Sequence, residues 1–173
     1  LVDSLDNVTI PRDDENKFTV EVIGGWFGFP LLELLINKYG DEIRSIDFFE
    51  MDPFCCRVFQ RYLKFWDKDF QDIKVFNEDY FKYKSERRTH LIINTSCEHM
   101  QDMNTMKSCY ITPERTLLVL QSNDKMDEPD HINCVEDCQG LEEQAGIKTL
   151  WGESKNMESD GDWWHRFMVM GKW

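Results

Sequence analysis

The sequence has no long apolar segment and few basic side chains. Its clean apolar runs, such as Leu117–Leu120, fall far short of the roughly 20 residues that a helix needs to cross a bilayer. Among the 173 residues, Lys and Arg number 20 and Asp and Glu number 33, so the formal net charge is −13. Binding to nucleic acid or to an anionic membrane needs an excess of basic side chains. The balance therefore disfavours a nucleic-acid partner and a membrane partner.

The acidic sequence contains one local cluster of basic residues. It consists of Lys82, Lys84, Arg87 and Arg88. Short charge runs of this kind are usually solvated surface. The sequence therefore favours an exposed loop over a nucleic-acid-binding patch at these positions.

The features of a secreted protein are also missing. The first residues include Asp3 and Asp6 and no basic segment, so the sequence predicts no signal peptide. Of the six cysteines, Cys55 and Cys56 are adjacent and the others lie in apparent core elements, which favours reduced thiols and a cytoplasmic location. The length fits one domain. We place this domain at residues 18–173, after an N-terminal leader segment of residues 1–17.

Hydrophobic periodicity predicts alternating strands and helices. The predicted strands are 18–23, 43–49, 73–77, 89–95, 115–122, 147–154 and 164–173, and the predicted helices are 30–40, 53–65, 102–110 and 135–146. This alternation indicates a mostly parallel sheet with helices on both faces. The last two strands, joined by a polar loop at 155–162, predict an antiparallel hairpin at one edge. The predicted fold class is α/β, a three-layer Rossmann-like fold with a seven-stranded sheet.

Ligands of such sheets bind beyond the carboxyl ends of the strands. The glycine-rich segment Gly24–Gly28 follows the first predicted strand, where bare backbone lets a ligand approach closely. Glu50 follows the second strand, and a carboxylate there can accept both hydroxyls of a ribose. Asp79 follows the third strand. This order and spacing fit an adenosine-type cofactor with a free ribose diol.

The same segments resemble the motifs of the class I S-adenosylmethionine-dependent methyltransferases, over roughly residues 18–173. VEVIGGWFG resembles the first motif, FFEMDP the second and FNEDYF the third, while LIINTSCEH stands at the fourth. The resemblance implies S-adenosyl-L-methionine as the cofactor. It assigns to the cofactor the residues Gly24, Gly25, Trp26, Gly28, Glu50, Met51, Asp79, Tyr80 and Asn94.

In this resemblance Glu50 takes the ribose hydroxyls, Asp79 reaches the adenine amino group and Tyr80 flanks the ring. The glycine loop departs from the family pattern, because Val22 stands at the usual acidic position and Trp26 at the middle glycine. The segments NTSCEH, LQSND and HINC together also resemble a small subgroup of bacterial and phage methyltransferase-like proteins.

Polar residues are densest after the fourth and fifth predicted strands. His99 and Glu98 are the candidates for catalysis, because a histidine beside a carboxylate can act as a general base near neutral pH. The alternative is that both residues bond loop backbone. Asn94-Thr95-Ser96-Cys97 lacks the two prolines of amino-group methyltransferases that act on DNA. With little chain left for a recognition domain, we expect a small-molecule acceptor.

A zinc site is an alternative for the same region. Cys97, His99, His131 and Cys134 offer the ligand set of tetrahedral zinc. The Cys-x-His spacing is unusual for zinc, so the sequence favours packing and no metal. Two other functions also stay open beside methyl transfer. One is a non-catalytic protein that binds the cofactor or a partner, and the other is a different reaction of the same cofactor.

Overall fold

The computed structural model describes residues 1–66, 72–83 and 87–173. Its strands and α-helices follow the predicted order along the chain. They are β1 (Phe18–Ile23), α1 (Leu31–Tyr39), β2 (Ile43–Phe49), α2 (Pro53–Leu63), β3 (Ile73–Phe76), β4 (Leu91–Asn94), β5 (Leu117–Asn123), α3 (Cys138–Ala145), β6 (Lys148–Ser159) and β7 (Asp162–Lys172). The predicted helix at 102–110 is a 3₁₀ helix, Met103–Cys109.

The seven strands form one sheet in the order β3-β2-β1-β4-β5-β7-β6. The strands from β3 to β5 are parallel, whereas β7 is antiparallel to both β5 and β6. This arrangement confirms the predicted fold class, including the antiparallel hairpin at one edge. The chain runs outward in one direction from β1 to β3 and in the other from β4 to β5. The topological switch point, where ligands of such sheets bind, therefore lies between β1 and β4.

Each face of the sheet carries an apolar core. On one face α1 and α2 bury Leu35 and Phe59 against the sheet, and on the other α3 buries Leu141. The N-terminal segment, residues 1–17, packs into the first of these cores through the fully buried Leu5. The three-layer arrangement leaves the carboxyl ends of the parallel strands accessible from one end of the sheet.

The C-terminal hairpin corrects the predicted polar loop at 155–162. Most of that segment continues β6 and β7, and only Asp160 and Gly161 form the turn. Their φ angles are 54° and 87°, and a two-residue turn with two positive φ angles matches the twist of the paired strands. The loop prediction was wrong because residues 154–159 are all exposed, so no apolar alternation marks this part of the strand.

The basic group at 82–88 also differs from the prediction of a solvated loop. Arg87 is buried and forms an ion pair with Glu21 at 3.2 Å between Nη1 and Oε2. Lys82 and Arg88 are exposed as predicted, while Lys84 lies outside the described residues. The interior site of Arg87 is set by a carboxylate 66 positions away in the sequence, which a local charge pattern cannot reveal.

Two expectations about thiols and membranes can be compared with the structure. The cysteines at 55, 56, 97, 109, 134 and 138 are all free thiols. In the part of the chain that the structure describes, no helix has the length and apolar character required to cross a membrane.

Candidate active site

A cavity of about 350 Å³ opens at the carboxyl ends of β1, β2 and β4, at the switch point of the sheet. Its volume falls in the range of about 300–1,000 Å³ that is typical of small-molecule sites. The predicted site residues on its wall are Gly24, Trp26, Glu50, Met51, Asp79, Tyr80 and His99. Within the described ranges, the predicted residues that do not line it are Gly25, Gly28, Asn94 and Glu98.

Glu50 is the buried carboxylate of the cavity wall. Its Oε2 accepts a hydrogen bond from the backbone N–H of Trp26 at 3.0 Å, and its Oε1 accepts one from that of Asp52 at 2.8 Å. These bonds join the glycine loop after β1 to the segment that leads into α2. A carboxylate offers about four lone-pair positions. Each oxygen of Glu50 therefore keeps one acceptor position for a ligand hydroxyl.

The glycines after β1 have two different physical roles. Gly24 lies on the cavity wall with φ at 59°, a conformation that glycine adopts without strain. Gly25 and Gly28 instead pack against aromatic rings, since a Cβ there would lie 2.6 Å from Phe48 and 2.5 Å from Phe59. The loop is thus tied down by packing on one side and exposes backbone to the cavity on the other.

Trp26 stands at the position of the middle glycine of the family pattern, and its backbone conformation is unfavourable for a residue with a side chain. Its φ is 53°, and the left-handed region costs a residue with a Cβ about 1 kcal/mol or more. Its ring lines the cavity and is 65% exposed. A large ring with this exposure provides an apolar surface at the mouth of the cavity.

Asp79 and Tyr80 line the cavity wall beyond β3, but their polar groups bind different partners. One oxygen of Asp79 accepts from the backbone N–H of Phe81 at 3.0 Å, and the other lies 3.0 Å from the Lys82 amine. The hydroxyl of Tyr80 points into the interior, where it donates to Glu21 at 2.9 Å. Burial, followed by the negative charge of Glu21, raises the pKa of Tyr80 far above its usual value. Tyr80 therefore presents its ring rather than its hydroxyl to the cavity.

The opposite wall follows β4 and contains His99. The Nδ1 of this ring lies 3.2 Å from the backbone oxygen of Asp130, and the ring packs edge-on against His131 with centroids 4.6 Å apart. Glu98 lies behind His99 and is buried. Its Oε1 accepts from the amide of Asn123 at 2.9 Å and from the guanidinium of Arg166 at 2.6 Å. His99 thus faces the cavity, and Glu98 supports the loop beneath it.

The four residues of the zinc alternative do not all converge. Cys97 is buried with its sulfur near the backbone oxygen of Asn94, and burial raises the pKa of the thiol strongly. The groups that offer converging ligand atoms in the described residues are Glu98, His99 and His131. This group of possible ligands therefore includes Glu98 in addition to the two histidines, and it includes neither Cys97 nor Cys134.

Asn94, which the resemblance assigns to the cofactor, is fully buried and serves the backbone. Its side-chain oxygen accepts from the N–H of Ser96 at 3.0 Å, and its amide nitrogen lies 3.4 Å from the sulfurs of Met100 and Met103. These contacts fix the turn that carries the next residues of the wall. The amide thus shapes the turn between β4 and the His99 segment.

Sequence reasoning missed several residues of this region, and three of them come from distant parts of the chain. Asp130 and Ile132 line the cavity, and Arg166 of β7 holds Glu98. The segment that carries Asp130 and Ile132 reaches the cavity because the N–H groups of Ile132 and Asn133 bond the backbone oxygen of Glu98. The dense polar set around HINC was a local signal for this segment. Arg166 had no local signal, because its partner lies 68 positions away.

Comparison with solved structures places this architecture among known folds. The N-methyltransferase NodS from Bradyrhizobium japonicum WM9 is 12% identical, with a TM-score of 0.65 over 91% of this chain and 88% of that protein. The cyclopropane synthase MmaA2 from Mycobacterium tuberculosis is 13% identical, with a TM-score of 0.65 over 88% of this chain. The mycolic acid cyclopropane synthase CmaA1, solved with S-adenosylhomocysteine (SAH) and CTAB, is 9% identical, with a TM-score of 0.64 over 88% of this chain.

These similarities concern the fold. The chain spans 61% of the length of each of the two cyclopropane synthases. No family model matches the sequence, and no curated protein matches it. The predicted resemblance to class I S-adenosylmethionine-dependent methyltransferases is confirmed for the fold, while the bacterial and phage subgroup stays a prediction.

Proposed function

We propose that this chain transfers the methyl group of S-adenosylmethionine to a small-molecule acceptor. The observation that carries the proposal is the position of Glu50. A buried carboxylate with one open acceptor position on each oxygen lies on the wall of a cavity at the switch point of a methyltransferase fold. That chemistry suits the two hydroxyls of a ribose.

The rest of the cavity suits the cofactor in shape and charge. S-adenosylmethionine supplies an electrophilic methyl group on a positively charged sulfur. Glu50, Glu78, Asp79 and Asp130 all lie on the wall, so its acidity favours a cationic ligand. Gly24 exposes backbone on the same wall, and Asp79 can accept a hydrogen bond from an amino group. The ring of Trp26 covers the apolar part of the ligand at the mouth.

We place the acceptor near His99. The ring donates its Nδ1–H to the backbone oxygen of Asp130, which leaves the Nε2 lone pair free to take a proton. Methyl transfer is an in-line displacement in which the protein mainly positions the two reactants. A protonated acceptor also needs a base, and we assign this role to His99. Glu98 acts through the backbone and the ring that it supports.

Calorimetry with SAH tests cofactor binding. We expect wild-type protein to bind SAH and Glu50→Gln to bind it at least about tenfold more weakly, which is about 1.4 kcal/mol. Glu114→Gln is the matched control, because Glu114 is exposed and does not line the cavity. Thermal unfolding of both variants checks that the fold is intact. Absence of binding to wild-type protein, or equal binding by Glu50→Gln, would reject the proposal.

Labelled-methyl transfer tests the reaction and the class of acceptor. The purified protein is given labelled S-adenosylmethionine and a small-molecule fraction of a cell extract. We expect label in that fraction, and less transfer with His99→Asn at unchanged SAH binding. Label in macromolecules would contradict the small-molecule acceptor. Binding without transfer to any fraction would favour the non-catalytic alternative, and loss of cofactor without methyl transfer would favour another reaction of it.

A further inference from the structure

Three side chains, of which His99 lines the cavity, converge on one point. Glu98, His99 and His131 each place one possible ligand atom within 4.8 Å of the other two. Glu98 and His99 are consecutive in the turn after β4, whereas His131 comes from the segment after β5. The backbone bonds between Glu98 and residues 132 and 133 hold the two segments together.

Only one of the two carboxylate oxygens of Glu98 has hydrogen-bond partners. Its Oε1 accepts two hydrogen bonds, from Asn123 and Arg166, whereas its Oε2 is buried without a hydrogen-bond partner. The side chain is only 4% exposed, so water does not readily make up the missing bond. A buried oxygen without a partner costs about 1–3 kcal/mol. A cation beside Oε2 would offset this cost.

Both histidines hold Nδ1 against a backbone oxygen. His99 directs Nδ1 to the backbone oxygen of Asp130 at 3.2 Å, and His131 directs Nδ1 to that of Lys125 at 2.9 Å. When Nδ1 donates its proton to a carbonyl, Nε2 carries the free lone pair. Metal-binding histidines almost always fix their other nitrogen in this way.

We propose that Glu98, His99 and His131 bind one divalent transition-metal ion. Two imidazoles and one carboxylate are a known ligand set for Zn²⁺, and they leave coordination positions open. Ligand atoms about 2.0–2.2 Å from one ion lie roughly 3–4 Å from each other. Since no two of the three ligand atoms are more than 4.8 Å apart, the approach that an ion requires is at most roughly 2 Å. Of the three groups, His99 also lines the cavity.

Bound metal would change the chemistry of the acceptor side. A metal ion held there would lower the pKa of an acceptor hydroxyl bound to it, so that the hydroxyl could give its proton to solvent instead of to a protein base. His99 would then act as a ligand, and Arg166 and Asn123 would hold the ligating carboxylate. This consequence rests on the proposed methyl transfer, whereas metal binding does not.

Titration of the chelator-treated protein with Zn²⁺ tests the site. We expect one equivalent to bind to wild type. Removing a group that only orients a ligand costs about 10- to 100-fold in metal affinity, and removing a ligand costs at least as much. We therefore expect His131→Asn and Glu98→Gln to bind Zn²⁺ at least tenfold more weakly. His165→Asn is the matched control, because His165 is exposed and bonded to Asp124 outside the cluster.

The remaining variants make the result unambiguous. Cys134→Ser should keep the affinity, although its sulfur lies 3.4 Å from Nδ1 of His131. Circular dichroism of the metal-free variants checks folding, and His131→Asn decides the test if Glu98→Gln unfolds. Less than a tenth of an equivalent bound, or equal affinity in wild type and His131→Asn, overturns the proposal. SAH binding by metal-free wild type is measured in parallel, so failure of the metal site is distinguishable from failure of the cofactor site.

Discussion

Glu21 and Arg87 form an ion pair in the interior, with 3.2 Å between Oε2 and Nη1 and neither side chain more than 5% exposed. The same carboxylate accepts hydrogen bonds from Thr89 at 2.7 Å and from the hydroxyls of Tyr80 and Tyr110 at 2.9 and 2.7 Å. Burial, and next the charge of Glu21, raises the pKa of Tyr110, so its phenol stays protonated and donates. The carboxylate of Glu21 is therefore fully used by bonds within the protein, and it does not line the cavity.

Removal of the cation from this pair should destabilise the fold strongly. We expect Arg87→Met to lower the free energy of unfolding by about 3–5 kcal/mol, because it leaves the Glu21 charge buried without its partner. Urea unfolding at neutral pH measures the change. Arg88→Met is the control, since Arg88 is exposed, and we expect it to change stability by less than about 0.5 kcal/mol. Equal effects of the two variants would show that the interior pair is dispensable.

Two glycines should respond to alanine with opposite signs. Gly28 has φ at 76°, and a Cβ there would lie 2.5 Å from the Phe59 ring, so we expect Gly28→Ala to destabilise by more than about 1 kcal/mol. Gly40 has φ at −50°, and its nearest neighbour would lie at 3.5 Å. We expect Gly40→Ala to stabilise by about 0.4–1 kcal/mol. Thermal unfolding of both proteins compares them, and a stabilising Gly28→Ala would contradict the packing argument.

The order of the elements could be predicted because each carries its own periodicity. The apolar run of β4, at 91–93, and the helical spacing in α1 are local features, and both elements appear where predicted. The end of β6 could not be predicted, because its exposed residues carry no alternation. Its signal was the Asp160-Gly161 turn, whose two residues suit positive φ angles.

The candidate site divides in the same way. Glu50 follows β2 directly and Asp79 comes shortly after β3, so the strand ends alone place them on the cavity wall. Asn94 is the last residue of β4, yet its side chain bonds the backbone of Ser96 and does not line the cavity. Side-chain direction after a strand depends on the local turn, which the residue order does not specify. Arg166 reaches the region by pairing with Glu98, 68 positions away in the sequence, and therefore lay beyond prediction.

Trp26 should have opposite effects on stability and on ligand binding. Trp26→Gly removes a Cβ from a left-handed backbone position, so we expect it to raise the free energy of unfolding by up to about 1 kcal/mol. The same change removes the ring from the cavity wall, so under the proposed function SAH should bind more weakly. Denaturant unfolding and calorimetry measure the two effects. Trp26→Phe is the control: it keeps an aromatic ring on the cavity wall, so we expect it to bind SAH more tightly than Trp26→Gly does.

His90 should make stability fall as the pH decreases below about 6.5. Burial is the main cause that lowers the pKa of this ring, and Arg44 adds to it while Asp13 opposes it. The neutral ring accepts a hydrogen bond at Nδ1 from the backbone N–H of Thr19 at 3.1 Å.

Below its ordinary pKa of 6.5, the unfolded chain binds a proton at His90 that the folded chain does not yet bind. The stabilisation is therefore complete above that pH and is lost as the pH falls through the lower folded pKa, at up to about 1.4 kcal/mol per pH unit. His90→Gln keeps an acceptor without a titrating group. We expect urea unfolding between about pH 7.5 and 5.5 to show a smaller decrease for His90→Gln than for wild type. Parallel curves for the two proteins would mean that His90 titrates alike in the folded and unfolded chains.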